Sequence, residues 1–333
     1  MSRFSVIIPA HNAAATLPAL LASLQAQTFT DVEIIVVDDA STDATASIAE
    51  QFGVRVERLS TNAGPAAARN RGAALASGEW LVFTDADTEF FPDTLDRLES
   101  VITSSDADAV VGTYAGQPAN EGFVPRYKAL WEYFIIDSRA RLDSRGLMPI
   151  STWAPRPGAV RREAFHTVRG FDKTFRGADL EDMELGYRLA DHGFRTYFAP
   201  AVRARHHYPD SAVRELRAFA RRCVLWMRMF VRRRTLESIG EGTLAQALAD
   251  MTGFAVFAGS VAALAYPPAL VAAAAAACVF LGMNMRFLAL AVTRESMFFA
   301  LGAMAYRWLH TVILGFAAPY GILTAHRGRR IHG

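Results

Sequence analysis

Short apolar, β-rich runs alternate with helix-like segments over the first 84 residues, and this alternation restricts the fold more than any other feature. The runs typical of strands cover residues 4–9, 33–37, 54–59 and 80–84, and the segments with helical spacing cover 14–27, 44–52 and 66–76. Strands that alternate with helices at such short spacing form βαβ units. The sequence therefore predicts an α/β fold with a Rossmann-like, mostly parallel sheet and flanking helices.

Polar clusters follow three of the predicted strands. They are Pro9 to Asn12, Asp38 to Asp43 and Asp85 to Asp87. In open α/β sheets, ligands bind beyond the carboxyl ends of the strands. We therefore expect these three loops to line one crevice.

The D-A-D segment is the clearest chemical signal in these loops. Asp85 and Asp87 follow the buried run L-V-F-T, where a carboxylate without a partner would be costly. Two carboxylates one residue apart suit a hard divalent cation, which would offset the charge of a diphosphate leaving group. The alternative is a turn with two solvated aspartates, since D-x-D is a short pattern.

Composition argues against several classes of protein. The formal net charge is only +2, so we expect no nucleic-acid partner. Cys223 and Cys278 are too few for a disulfide framework and lack metal-ligand spacing. The chain opens with a strand-like run and not with a secretion signal, so we expect the front domain to stay in the cytosol.

Several motifs, taken in order and spacing, resemble family 2 glycosyltransferases of the GT-A fold. The first half carries F-S-V-I-I-P-A-H-N, I-I-V-V-D-D-A-S-T-D-A-T, N-A-G-P-A-A-A-R-N-R-G-A-A-L-A-S-G-E-W and L-V-F-T-D-A-D. The acceptor half carries G-F-D-K-T-F and L-E-D-M-E-L-G-Y-R-L-A-D-H-G. The resemblance runs from about Phe4 to His207. It implies an inverting, metal-dependent transferase with a nucleotide-sugar donor. A UDP-sugar is favoured as the donor over a GDP- or dTDP-sugar.

The resemblance also implies roles on the donor side. The donor-binding residues would be Pro9, Ala10, His11, Asn12, Asp39, Arg69 and Asp85. Asp39 corresponds to the aspartate that hydrogen-bonds the base, and Arg69 to the arginine that helps hold the nucleotide. The chain departs from the family at His11, where a tyrosine is usual.

The implied metal site consists of Asp87, Asp85 and His206, and its ion would be Mn²⁺ or Mg²⁺. Asp87 corresponds to the direct ligand. His206 corresponds to a histidine that completes the site, and imidazole suits manganese better than magnesium. The neighbouring His207 would point elsewhere on a strand. A solvated pair of histidines is the alternative.

Glu181 and Asp182 match the family's E-D motif on the acceptor side. An inverting transfer needs a base that takes the proton of the attacking hydroxyl. The resemblance gives this role to Asp182 and leaves Glu181 to help bind the acceptor. The alternative is a pair of carboxylates favoured at a helix start by the helix dipole, and the two readings are compatible.

Long apolar runs begin near Leu244. Residues 247–266 and 269–285 approach the length of a membrane-spanning helix, with Pro267 and Pro268 as a turn between them. The third run, 297–323, contains Arg307 and His310, so it either spans or lies in the interface. Basic residues flank the tail at positions 221, 222, 228, 232, 233, 234, 327, 329 and 330. Two crossings plus one interfacial helix would place all of these on the cytoplasmic side, whereas three crossings would separate them.

These observations predict three regions: a GT-A catalytic domain at 1–215, a basic amphipathic juxtamembrane helix at 216–244, and membrane helices at 245–333. We expect residues 1–215 to be soluble alone. The chain lacks the Q-x-x-R-W motif of processive synthases of this family, which favours transfer of a single sugar. The expected acceptor is a lipid-linked or membrane-associated glycan at the cell membrane. The alternatives are a soluble or protein acceptor, a nucleotidyltransferase, and a non-catalytic membrane scaffold.

Overall fold

The computed structural model describes residues 2–136, 140–175, 177, 180–233 and 243–325. Four of the basic residues that flank the predicted membrane segments, Arg234, Arg327, Arg329 and Arg330, lie outside the described residues. The described chain divides into two compact units. Unit 1 comprises residues 1–120 and 140–208, and unit 2 comprises residues 121–139 and 209–333.

Unit 1 begins with four parallel strands. They are β1 (Phe4–Ala10), β2 (Val32–Asp38), β3 (Arg55–Arg58) and β4 (Trp80–Phe83), in the spatial order β3-β2-β1-β4. The helices between them are α1 (Leu17–Gln25), α2 (Thr45–Gln51) and α3 (Pro65–Leu75). All seven predicted elements are confirmed. The central strands β1 and β4 are almost fully buried because helices cover both faces.

The sheet changes direction beyond β4. The remaining strands are β5 (Thr88–Phe90), β6 (Ala109–Tyr114), β7 (Met148–Ile150), β8 (Gly158–Arg161) and β9 (Thr196–His206). The order continues β4-β8-β6-β9-β5; β8 is antiparallel to β4 and β6, β9 is parallel to β6, and β5 and β7 are antiparallel to β9. The α/β class is confirmed, and the sheet is mixed: the first four strands are parallel to one another and β9 is parallel to β6, whereas the other pairings are antiparallel.

Three helices complete unit 1: α4 (Thr94–Thr103), α6 (Arg162–Thr167) and α7 (Glu181–Asp191). Glycine lets α7 approach the chain before β8. A Cβ at Gly186 would lie 2.2 Å from the Trp153 backbone nitrogen, so any larger residue would push α7 away. Gly72 does the same for α3, where a Cβ would meet Ile7 Cγ2 at 2.4 Å.

Unit 2 consists of helices. They are α5 (Phe123–Ile135), α8 (Ala212–Arg233), α9 (Leu244–Ala262), α10 (Ala269–Arg294) and α11 (Met297–Leu323). By length and composition, α9, α10 and α11 could each cross a membrane. The turn at Pro267 and Pro268 is present between α9 and α10. The helix α10 extends nine residues beyond the predicted end at Met285 and includes Arg286.

Helix α5 packs with the apolar helices of unit 2 although it lies in the middle of the chain. Its aromatic rings surround Phe287 of α10: the centroid of Trp131 lies 4.9 Å away, that of Phe134 5.4 Å and that of Tyr127 6.1 Å. The side chains of Leu130, Trp131 and Phe134 are each less than 5% exposed. A break at residue 215 would therefore separate α5 from its packing partners.

We predict that residues 1–215, expressed alone, will aggregate without detergent, because the apolar face of α5 loses α10 and α11. The same fragment with Leu130, Trp131 and Phe134 replaced by Ser should stay in the supernatant after ultracentrifugation. If the 1–215 fragment with the native α5 sequence is monomeric without detergent, this expectation is wrong, and the predicted domain boundary at residue 215 is supported.

Candidate active site

The loops after β1 and β2 hold each other in place. His11 Nδ1 lies 2.8 Å from the Asp39 carbonyl oxygen. Asn12, in the left-handed region at φ 51°, accepts a hydrogen bond from the Thr42 amide at 2.9 Å. Its own amide donates to Ser41 Oγ at 2.9 Å. The His11 ring is thus positioned by backbone contacts at the end of the parallel sheet, next to Pro9 and Ala10 of β1.

Asp39 connects this loop to the start of α3. Its carboxylate accepts hydrogen bonds from the amides of Ala63 and Gly64, both at 2.8 Å. The residue is 3% exposed. Each carboxylate oxygen can accept a second hydrogen bond, so the side chain that anchors α3 keeps capacity to bind a ligand group.

Arg69 on α3 forms a buried bridge between two carboxylates. Its Nη1 donates to Glu181 Oε1 at 2.8 Å, and its Nη2 donates to Asp85 Oδ1 at 2.7 Å. The Arg69 side chain is 4% exposed. Burial alone would lower the pKa of Arg69, but the charges of Asp85 and Glu181 outweigh it and raise the pKa. The guanidinium therefore stays charged and draws the loop after β4 and the start of α7 together.

Asn70, the next residue on α3, fixes the G-F-D segment. Its amide nitrogen donates to the Phe171 carbonyl at 2.8 Å, and its oxygen accepts from the Phe171 amide at 2.8 Å. The Phe171 ring lies under the Arg69 guanidinium, with 5.4 Å between Cζ and the ring centroid. The consecutive pair Arg69 and Asn70 thus joins two motifs about 100 residues apart.

The structure brings Asp87 and His206 together. Strand β5 is antiparallel to β9 with Thr88 opposite His206, and the His207 amide donates to the Asp87 carbonyl at 2.8 Å. His206 Nε2 therefore lies 3.3 Å from Asp87 Oδ1. His207 points elsewhere, as expected, with Nε2 2.8 Å from Glu89 Oε1.

These side chains fit a divalent cation in part. Asp87 Oδ1 is closed off from solvent and lacks a hydrogen-bond partner in the described chain. A buried orphan oxygen beside an imidazole nitrogen suits a cation that both could bind. Asp85 is turned to Arg69 instead, and the described residues contain no group of three or more His, Cys, Asp or Glu arranged to hold a metal. Two protein ligands suffice for Mg²⁺ where substrate phosphates complete its shell.

Asp182 lies in the first turn of α7, beside Glu181. Its Oδ1 accepts a hydrogen bond from the Met183 amide at 2.7 Å. Burial and then the Glu181 charge raise the pKa of Asp182 to about 7, although the Met183 amide, Arg69 and Arg156 act in the opposite direction. A carboxyl group with a pKa near neutrality can accept a proton in one step and release it afterwards.

Sequence reasoning missed several residues around these groups. Tyr114 and Tyr208 flank the His206 ring, each with 4.5 Å between centroids. Arg156 lies over Tyr114, with 5.6 Å between Cζ and the centroid. Arg156 belongs to none of the motifs that the sequence analysis singled out. Its only local signal is the P-R-P context, which does not specify a contact.

Comparison with known proteins places the first half of the chain. Residues 5–168 match the model of glycosyl transferase family 2. An uncharacterized glycosyltransferase of Haemophilus influenzae is 33% identical over 190 residues, which cover 56% of this chain and 61% of the relative. A PGL/p-HBAD biosynthesis glycosyltransferase of Mycobacterium bovis is 44% identical over 116 residues, covering 33% of this chain and 45% of the relative. The chain thus spans less than two thirds of either relative.

Solved structures support the fold. A mannosyltransferase from Pyrobaculum calidifontis, in complex with GDP-Man and Mn²⁺, is similar with a TM-score of 0.59 and 22% identity, covering 97% of this chain and 87% of that one. GalNAc-T7 with UDP, GalNAc and Mn²⁺ gives a TM-score of 0.50 and 21% identity, covering 62% of this chain and 44% of that one. At this identity the likeness concerns the GT-A fold alone.

We predict that Arg69→Gln will destabilise the protein strongly, because it leaves the buried Glu181 carboxylate without its cation. Breaking a buried ion pair costs roughly 3–5 kcal/mol, which lowers the melting temperature by on the order of 10 °C in a domain of this size. The control is Arg71→Gln on the same helix. Arg71 is 48% exposed and pairs with Glu57, so its loss should cost less than about 1 kcal/mol. If differential scanning fluorimetry gives equal shifts in melting temperature for the two variants, the predicted stabilising role of the Arg69 bridge is wrong.

Proposed function

This chain belongs to glycosyl transferase family 2, and on that premise we propose that it transfers one sugar, with inversion, from a nucleotide-diphosphate sugar to a membrane-associated acceptor. The observation that carries the proposal is the Arg69 bridge, which brings the aspartate after β4 and the E-D motif of α7 into one site. Family membership argues against a nucleotidyltransferase, and the ordered carboxylate set argues against a non-catalytic scaffold.

The donor side is built from the loops after β1, β2 and β4. Asp39 would bind the base through its remaining acceptor positions, with His11 and Asn12 beside it, and Asp85 would contact the ribose. Asp87 and His206 would hold Mn²⁺ or Mg²⁺, whose charge would offset that of the diphosphate. The two similar structures are named with GDP-Man and with UDP, each with Mn²⁺, which supports a nucleotide-sugar donor without selecting the base.

The acceptor side depends on Asp182. Its carboxylate takes the proton of the acceptor hydroxyl as that oxygen forms its bond to the anomeric carbon. The bond from the anomeric carbon to the diphosphate oxygen breaks on the opposite face, and the nucleoside diphosphate leaves with the electron pair. Glu181, held by Arg69, keeps the helix start in place and raises the pKa of Asp182.

The acceptor we propose is a lipid-linked or membrane-associated glycan. Three helices long and apolar enough to cross a membrane follow the catalytic unit in sequence, and a similar mycobacterial enzyme is named for PGL/p-HBAD biosynthesis. The catalytic unit would then face the cytosol at the cell membrane, where nucleotide sugars are the donors. The alternative is a soluble or protein acceptor, with the apolar helices serving only as an anchor.

The test of the function is a donor screen with the full chain in lipid nanodiscs. We expect nucleoside diphosphate release from one UDP-, GDP- or dTDP-sugar when Mn²⁺ and a membrane lipid extract are present. Excess EDTA and Asp87→Ala should each abolish release, because EDTA removes the proposed cation and the substitution removes its carboxylate ligand. The control is Asp93→Ala, which deletes an exposed carboxylate paired with Arg97. Full turnover in EDTA would rule out metal dependence while leaving the family assignment intact.

We predict a second, pH-dependent signature at Asp182. With a pKa of about 7, the fraction of ionised base and hence kcat should rise with pH through neutrality. Asp182→Asn should lower kcat by ~10²–10⁴-fold and remove this rise, while nucleotide affinity stays nearly unchanged.

Although Asp182→Asn should lower kcat, it should not lower the stability of the folded protein. Because the folded-state pKa of Asp182 is raised, its stabilising contribution is present at low pH and is lost as pH rises through about 7. Asp182→Asn should therefore be at least as stable as the wild type at pH 8. Glu184→Gln on the same helix, which removes a carboxylate bonded to Arg188, is the control. If Asp182→Asn turns over normally and Glu181→Gln is inactive, the catalytic base is Glu181 and not Asp182.

A further inference from the structure

Arg156 is a cation at the candidate active site that the proposed chemistry does not yet use. It lies in unit 1, in the segment before β8, between Pro155 and Pro157, and the residue is half-buried. Its backbone is fixed against β6. The Gly112 amide donates to the Pro157 carbonyl at 3.0 Å, and a Cβ at Gly112 would lie 2.8 Å from the Arg156 carbonyl oxygen. The Arg156 side chain therefore starts from a fixed position beside β6.

The side chain of Arg156 lies over the ring of Tyr114 at the end of β6, with 5.6 Å between Cζ and the ring centroid. Tyr114 is 7% exposed, and its ring also contacts His206, with 4.5 Å between the centroids and 33° between the planes. Attraction between a guanidinium and an aromatic face restrains the arginine, which lowers the entropy cost of binding a ligand. Only the Tyr114 ring thus lies between the guanidinium and the proposed metal ligand His206.

His206 is fixed from another side by Tyr208, with 4.5 Å between the ring centroids. Asn120 holds the backbone of Tyr208. Its Nδ2 donates to the Tyr208 carbonyl at 2.8 Å, and its Oδ1 accepts from the Tyr208 amide at 3.0 Å. The three rings therefore form one packed cluster, and Arg156 lies on its Tyr114 side.

The charge of Arg156 also acts on the proposed base. Burial and then Glu181 raise the pKa of Asp182 to about 7, and the charge of Arg156 is among those that act in the opposite direction. Arg69, another cation with this effect, already donates to two carboxylates. The proposed transfer has its base on one side of the reacting bond and the diphosphate, with the His206 site, on the other. Arg156 is near both.

The charge balance of the site calls for a further cation. Arg69 is a single positive charge shared by Asp85 and Glu181, and Asp87 adds another carboxylate. The donor's diphosphate is itself negative, and its charge increases on the leaving oxygen as the glycosidic bond breaks. A guanidinium offers paired N–H donors that match a phosphate group. Fixed donors aimed at a developing negative charge lower the barrier of the reaction.

We propose that Arg156 binds the diphosphate of the nucleotide-sugar donor and stabilises the charge that develops on its leaving oxygen. This inference rests on the proposed function. As the bond between the anomeric carbon and this oxygen breaks, the electron pair moves to the oxygen. The guanidinium donates hydrogen bonds to that oxygen without giving up a proton, and the Tyr114 ring holds the guanidinium in place.

The first experiment measures the affinity for the leaving group. Full-length protein in nanodiscs is titrated with UDP, GDP and dTDP in the presence of Mn²⁺ by isothermal titration calorimetry, and the tightest ligand is used for the variants. Arg156→Gln should raise its Kd about tenfold or more. With the matching sugar donor, kcat should fall by ~10²–10³-fold. Added guanidinium chloride should restore part of the affinity lost in Arg156→Ala, which would not happen if the side chain only supported the fold.

The control is Arg145→Gln. Arg145 also lies over a tyrosine, with 5.2 Å between its Cζ and the Tyr197 centroid, and it pairs with Asp143. Tyr197 is near the start of β9 and His206 is at its end. Both Kd and kcat of this variant should therefore equal those of the wild type, and an equal loss in the two variants would overturn the proposal.

Two other results would also overturn it, and they have different meanings. If the wild type binds and turns over but Arg156→Gln binds the nucleoside diphosphate equally well, this inference is wrong and the proposed function stands. A raised KM for the acceptor in that variant would assign Arg156 to an anionic group of the acceptor instead. If the wild type binds none of the three nucleoside diphosphates, the proposed function is wrong as well.

The second experiment uses the wild type alone, so it remains decisive if Arg156→Gln does not fold. Phenylglyoxal modifies accessible arginines, and peptide mass spectrometry gives the rate at each position. The bound nucleoside diphosphate should slow the modification of Arg156 several-fold and leave the rate at Arg145 unchanged. Equal rates at Arg156 with and without the nucleoside diphosphate would refute the contact.

Discussion

The buried ion bridge at Arg69 is the interaction on which the rest of the catalytic unit depends. A guanidinium with 4% exposure joins Asp85 and Glu181, and neither its charge nor that of the equally buried Glu181 could be buried alone without a large desolvation cost. Each neighbouring contact keeps this bridge in register. Asp39 anchors the start of α3, and Asn70 holds the segment that carries Phe171 beneath the guanidinium.

The acidic residues of the site fall into two groups, according to whether they form a hydrogen bond with Arg69. Asp85 and Glu181 have their charges compensated by Arg69, and they serve to hold two distant segments together. Asp87 faces His206. Asp182 feels the charge of Arg69 without being its hydrogen-bond partner, and its pKa is raised to about 7 by burial and by the charge of Glu181. One buried cation thus divides four carboxylates into two that position and two that we propose to act.

Ionic contacts organise the helical unit as well. Arg307 in α11 pairs with Asp250 of α9, and Glu215 of α8 receives the Tyr306 hydroxyl and lies near His310. These polar groups look anomalous in an apolar run of sequence, because their partners come from other helices. They fix α8 and α9 to the same stretch of α11, residues 306–310.

The sequence by itself determined the first four strands, the three helices between them and the motifs of the family, because each depends on local apolar periodicity and on residues close in the chain. It also placed Asp87 next to His206, through the family resemblance. Only the tertiary structure decided that Asp85 turns to Arg69, that the sheet is mixed beyond β4, and that α5 packs with the apolar helices. Those outcomes depend on pairing between distant segments, such as Tyr127 of α5 with His310 of α11, about 180 residues apart. Local periodicity carries no information on which buried surface or charge will meet which partner.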